Sequence, residues 1–259
     1  MAKNYAPKQR HKNGHLVQLA NLELYYEEYG QGKPLLLLHG FGGCTQNWQP
    51  FVAEFAKHFR LLLVDLRGHG YSTNPSNTFT HAQAAEDVFE LLESIGVSEF
   101  SAMGMSTGGM VLLHMATKQV SRINSIVLIS ATSHFPNEAR AIMQRVSYAT
   151  MPTEVKEMYT ECAKHGEEQI RQLISQFNAL SQDCSDMNFT PQSLSTIQAR
   201  TLLVHGERDA FFSTEIAKNL HDSIPQSSLW LIPNGEHVPI YNSAVPFSSM
   251  ALDFLLEAE

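Results

Sequence analysis

The chain has 259 residues, 43% of them hydrophobic and 17% charged, with a formal net charge of −8. That length buries a sizeable core and lies near the upper size for one domain. The acidic balance argues against nucleic acid, because phosphate binding needs clustered Lys and Arg.

The basic cluster Lys3, Lys8, Arg10 and Lys12 has no apolar run beside it, which fits a solvated tail. No apolar stretch approaches membrane-spanning length, and "MAKNYAPKQRHKNG" lacks the apolar core of a signal peptide. A cytoplasmic protein with no membrane span is therefore expected. Three cysteines, Cys44, Cys162 and Cys184, are few and scattered, and no disulfide framework is expected of them.

In chain order, "HLVQLANLELYYEEYG" holds two short strand-like runs broken near Asn21, a hairpin at a sheet edge. Leu35 to Leu38 is apolar at every residue, as in a strand covered on both faces. Leu61–Val64, Ile123–Ile129, Thr201–Val204 and Leu229–Ile232 repeat that pattern. Helical spacing lies between them. Ala85, Val88, Phe89, Leu92 and Ile95 form one stripe, closed by Gly96. "GGMVLLHMATKQV", "STEIAKNLHDSIP" and "PFSSMALDFLLEA" read as further helices. Short apolar strands alternating with helices predict an α/β fold with a mostly parallel, doubly wound sheet.

The alternation stops between about His134 and Thr196. Three helical stretches appear there instead, separated by Pro152 and Gly166. Such an insertion is too long for a plain loop and predicts a small helical subdomain at 134–196, with the core at 1–133 and 197–259.

The chemistry centres on "GMSTGGM", residues 104–110. Ser106 follows the strand-like "FSAMG" and opens a helix, with Gly104 and Gly108 two residues to either side. A serine on a strained strand-to-helix corner is exposed above the sheet and faces a helix N-terminus. "HGFGG", His39 to Gly43, follows the first buried strand, and its glycines free backbone N–H groups to converge on an oxyanion. It lacks the glycine at Thr45 and the Gly-Lys-Ser/Thr that nucleotide-binding loops require. Asp209 and His237 lie in loops after the last two strands. Open α/β sheets place their sites at that edge, and the order Ser, Asp, His suits a serine hydrolase.

With "DLRGHGYS" at 65–72, "GERD" and "GEHVP" added, the chain resembles the α/β-hydrolase fold superfamily over nearly its whole length. Within it, the carboxylesterase and haloperoxidase-like branch is nearest in kind. The resemblance implies Ser106 as nucleophile, Asp209 as acid and His237 as base. It implies the backbone N–H groups of Phe41 and Thr107 as the oxyanion hole, and the helical insertion as a cap. A serine nucleophile sets the chain apart from relatives that use Asp, the haloalkane dehalogenases and epoxide hydrolases; hydroxynitrile lyases share the serine.

The expected reaction is cleavage of small to medium carboxylic esters through an acyl-enzyme. Thioester, lactone or carbon–carbon hydrolysis, perhaloacid formation, acyl transfer and slow-turnover ligand reception are the alternatives. His39, Met105, Phe135, Phe211, Phe212 and Val238 are candidate pocket residues. The cap's Met143, Tyr148, Met151, Met158 and Phe177 are read mainly as cap core, some facing an acyl pocket. Asp65 and Arg67 are read as structural, and the Thr107 hydroxyl as a helix cap, with a third donor to the oxyanion as the alternative. No metal is expected, since no zinc-binding spacing occurs among the twelve histidines. No cofactor is expected, and the anticipated partner is a small acyl substrate.

Overall fold

The structure, a computed structural model, describes residues 11–241 and 244–257. Of the N-terminal basic cluster, Lys3, Lys8 and Arg10 lie outside the described residues.

The sheet has eight strands: β1 (Gly14–Gln18), β2 (Glu23–Tyr29), β3 (Lys33–Leu38), β4 (Phe59–Asp65), β5 (Phe100–Met105), β6 (Ile123–Ile129), β7 (Arg200–Gly206) and β8 (Ser227–Ile232). Their order is β1-β2-β4-β3-β5-β6-β7-β8. β1 and β2 form the antiparallel edge hairpin, and β2 runs antiparallel to β4. From β4 to β8 every pair is parallel.

Parallel pairing demands crossovers, and these cover both faces. The strand period of two sends Leu36 and Leu38 to one face, against α2 (His81–Ser94) and α3 (Thr107–Lys118). Leu35 and Leu37 point to the other face, toward α1 (Gln49–Phe55) and α9 (Ala244–Leu256). All four leucines are 0% exposed. Each contributes about 1.5–3 kcal/mol by leaving water, which is why no polar residue interrupts the run.

The α1 crossover is absent from the sequence reading. It is short, but Pro50 near its start and buried Phe51, Val52 and Phe55 mark it. Between β6 and β7 come α4 (Asn137–Arg145), α5 (Thr153–Cys162), α6 (Glu167–Leu180) and the single turn α7 (Pro191–Leu194). After β7, α8 (Thr214–Ser223) completes the set.

Polar contacts over long sequence distances tie this insertion to the core. Asp186 accepts from His81 Nδ1 at 2.6 Å and from the backbone N–H groups of His81 and Ala82, capping α2 from outside. Gln169 donates to the carbonyls of Gly68 and Gly70, both at 2.9 Å. Lys164 donates to Gln46 at 3.1 Å.

One tie corrects the cysteine reading. Cys44 and Cys162 form a disulfide across 118 residues, with Cα atoms 5.4 Å apart. It joins the end of α5 to the loop after β3. Sequence spacing holds no trace of it, because its partners meet only when the insertion folds back over the sheet. Cys184 stays free.

Candidate active site

β5 ends at Met105 and α3 begins at Thr107, so the chain reverses at Ser106. Ser106 holds φ 48° and ψ −113°, a left-handed corner few side-chain-bearing residues adopt. The corner brings backbones too close for side chains. A Cβ on Gly104 would lie 2.5 Å from the Gly108 carbonyl carbon, and one on Gly108 would lie 2.3 Å from Leu38 O.

The loops after β7 and β8 complete the group. His237 Nε2 lies 3.0 Å from Ser106 Oγ, and His237 Nδ1 lies 2.7 Å from Asp209 Oδ2. A proton on Nδ1, donated to the carboxylate, leaves Nε2 free to accept from the serine hydroxyl. Asp209's side chain is fully buried and its other oxygen accepts from the N–H groups of Phe211 and Phe212, at 2.8 and 3.1 Å. Burial pushes its pKa up, but the hydrogen bond and charge of His237 and these N–H groups outweigh burial and leave it lowered. Glu207, the neighbouring acid, accepts from Asn234 N–H instead.

Phe41 and Thr107 flank Ser106 at the cavity floor, and neither backbone N–H has an acceptor among the described residues. The Thr107 N–H stands at the N-terminus of α3 and the Phe41 N–H in the loop after β3, and two such free donors can receive an oxyanion. The Thr107 hydroxyl makes no hydrogen bond among the described residues, so the helix-cap role expected of it falls away. Ser106 already occupies the N-cap position, and Thr107 lines the cavity.

His39 corrects the pocket reading. It is wholly buried beneath the loop, and it does not line the cavity. Its Nε2 accepts from Leu66 N–H at 3.0 Å, so Nδ1 carries the proton and donates to Gly40 O at 2.7 Å. His69 lies beside it with its ring tilted, ring centres 5.0 Å apart, and makes an edge contact to Phe41. Asp65 accepts from Thr45 and Tyr71 N–H, pinning the adjoining turns.

These buried groups predict acid sensitivity. Burial lowers the pKa of His39 to about 4 and that of His69 to about 3, from 6.5. Below pH 6.5 the unfolded chain takes up protons that the folded chain refuses, so stability falls as pH drops. Asp65 opposes this: burial pushes it up to about 7 from 3.8, so its folded form holds a proton in the same window. Two histidines against one carboxyl leave a net difference of about one proton, roughly 1.4 kcal/mol per pH unit. The melting temperature is expected to fall steadily from pH 6.5 to 4.5; a flat calorimetric profile would contradict this.

Above the site lies a cavity of about 740 Å³. The expected Met105, Phe135, Phe211, Phe212 and Val238 line it, as do Met143, Met151, Met158 and Phe177. Tyr148 does not; its ring lies between the cations of Lys156 and Arg171. Met110, Tyr159 and Tyr241 also line it and escape the sequence reading. Tyr159 and Met110 carry only the helix-core spacing of their neighbours. Tyr241 lies past a turn with no distinguishing motif. Its hydroxyl donates to Asn47 O at 3.0 Å. No group of three or more His, Cys, Asp or Glu among the described residues could hold a metal ion. No helix among them is long and apolar enough to cross a membrane.

The alpha/beta hydrolase fold family matches residues 33–186 of the chain. Serine hydrolase BPHL of Mus musculus is 30% identical over 252 residues, covering 92% of this chain and 85% of that protein. A pimeloyl-(acyl-carrier protein) methyl ester esterase of Vibrio vulnificus is 25% identical over 256 residues, covering 90% and 98%. A meta-cleavage product hydrolase of Pseudomonas fluorescens superposes with TM-score 0.79 at 16% identity, covering 95% of this chain and 98% of its own. At that identity the likeness shows the fold alone. The chain belongs to the α/β-hydrolase fold family, and it is a hydrolase of that fold.

Proposed function

We propose that this protein is a serine esterase cleaving carboxylic esters of small to medium acyl chains through an acyl-enzyme. The observation that carries this reading is the unbroken chain Asp209–His237–Ser106 opening onto an apolar cavity. A serine hydroxyl attacks a carbonyl only when a base takes its proton. His237 is that base, and it later protonates the leaving alcohol. Asp209 fixes its tautomer and stabilises the imidazolium. The N–H groups of Phe41 and Thr107 receive the tetrahedral oxyanion. Residues 134–196 act as the cap, since α4, α5 and α6 supply one wall of the cavity. The esterase names among the relatives support an ester over a thioester, lactone or carbon–carbon bond.

The test joins a label to a substrate series. A fluorophosphonate probe is expected to modify Ser106, identified by mass spectrometry, and to abolish activity. Across p-nitrophenyl esters, kcat/KM is expected to rise about fourfold per added methylene, the equivalent of ~0.8 kcal/mol of apolar burial each. It should then turn over once the chain outgrows the cavity. Burst release without steady turnover would favour a ligand receptor, and a flat series would remove the acyl-pocket reading.

A further inference from the structure

Among the described residues, five that are not glycine hold a left-handed backbone: Asn77, Ser106, Ser130, Asn234 and Val238. Asparagine tolerates that region; a β-branched residue is its least tolerated occupant. Val238, at φ 54°, directly follows the proposed base, His237. Such strain persists only where the surroundings over-determine it.

Ser130 is the surrounding group in question. It directly follows β6, which lies between β5, which leads to Ser106, and β7, which leads to Asp209. It is wholly buried and itself holds φ 51°. Its N–H donates to Val204 O at 2.9 Å, fastening it to β7, while Ser106 N–H donates to Ile129 O at 2.7 Å. Its hydroxyl accepts from Val238 N–H at 3.2 Å. From Glu236 to Val238, that is the only hydrogen bond donated by the backbone among the described residues.

We infer that Ser130 is the positioning residue of His237. Its hydroxyl holds Val238 in the left-handed conformation, and the turn so fixed keeps the imidazole over Ser106. This rests on the triad reading above. Proton transfer needs Nε2 within hydrogen-bond reach of the hydroxyl, and a displacement near 1 Å can lower a rate by about 100-fold. The carboxylate bond to Nδ1 sets the ring's tilt. The backbone at 237–238 sets where the ring begins.

Ser130→Gly separates the hydroxyl from the backbone it sits on, because glycine adopts φ 51° without strain. The expected result is a melting temperature lower by only about 2–6 °C, from the Val238 N–H left without its acceptor, KM within about threefold, and kcat lower by about 10- to 100-fold. The phosphonylation rate of Ser106 should fall in parallel, a readout independent of the choice of ester. Because Val238 also lines the cavity, the double variant Ser130→Gly with Val238→Gly is compared with Val238→Gly alone. With glycine at 238 the left-handed turn no longer needs its support, so Ser130→Gly should cost little kcat in that background. Wild-type kcat and labelling in Ser130→Gly overturn the inference, as does an equal loss of kcat with and without glycine at 238. Failure of the wild-type protein to label at Ser106 overturns the triad reading instead.

Discussion

Ser106→Ala is expected to lower kcat for an ester by on the order of 10⁶ and leave the fold intact. Ser106, His237 and Asp209 form one hydrogen-bonded chain, so removing the nucleophile removes what the other two act upon. Asp209→Asn is expected to lose about 10⁴. The amide can donate to Nδ1, which turns the ring to the tautomer whose Nε2 carries the proton and cannot accept the serine's. Glu207→Gln should leave kcat near wild type, because Glu207 bonds Asn234 N–H and not the imidazole. Steady-state kinetics on these three variants, with circular dichroism to monitor folding, checks the assignment. A crippled Glu207→Gln beside an active Asp209→Asn would move the acid.

Reduction of Cys44–Cys162 is expected to lower stability by about 4–5 kcal/mol, since the bond closes a loop of 118 residues in the unfolded chain. At this chain length that corresponds to a melting temperature lower by about 8–10 °C. The effect should be felt most at α5, whose side chains are largely exposed apart from Tyr159 and Cys162. Tyr159 rests on Gly42 of the proposed oxyanion loop, so loosening α5 also loosens that loop. Thiol titration of unfolded protein should find one free group, Cys184, without reductant and three with it. Scanning calorimetry with and without dithiothreitol, on wild type and Cys162→Ser, completes the test. Three free thiols without reductant, or melting indifferent to dithiothreitol, would remove the bond from the protein's stability. Cytosolic glutathione would hold such a pair reduced, so the same measurement bears on the cytoplasmic expectation.

Most of the scaffold is legible residue by residue. Leu35–Leu38 and its counterparts in β4, β6 and β7 declare strands covered on both faces, because one polar residue there would be buried without a partner. Leu229–Ile232 reads the same way but lies in the edge strand β8, where only Ile232 is buried, because no further strand or helix layer closes over the sheet's end. Gly104 and Gly108 mark the corner at Ser106, because only glycine survives such close backbone approach. Asp209 and His237 are legible by position, each just beyond the end of an apolar strand, β7 and β8. All of these are local signals, set by a strand, a turn or the edge where a strand ends.

The tertiary structure alone decided the rest. Cys44 meets Cys162, and Asp186 caps α2, only because the insertion folds back across the sheet. His39 shares a motif with Phe41, yet the loop's path sends one beneath the site and the other to its surface. The Thr107 hydroxyl lost its expected cap role because Ser106 already holds that place. Val238 holds a conformation its own side chain disfavours, and Ser130, 108 residues away, supplies the hydrogen bond there. Sequence determines what each segment prefers by itself. Contacts between segments far apart in the chain are settled by packing, which can hold a residue against its local preference when the neighbours supply the energy.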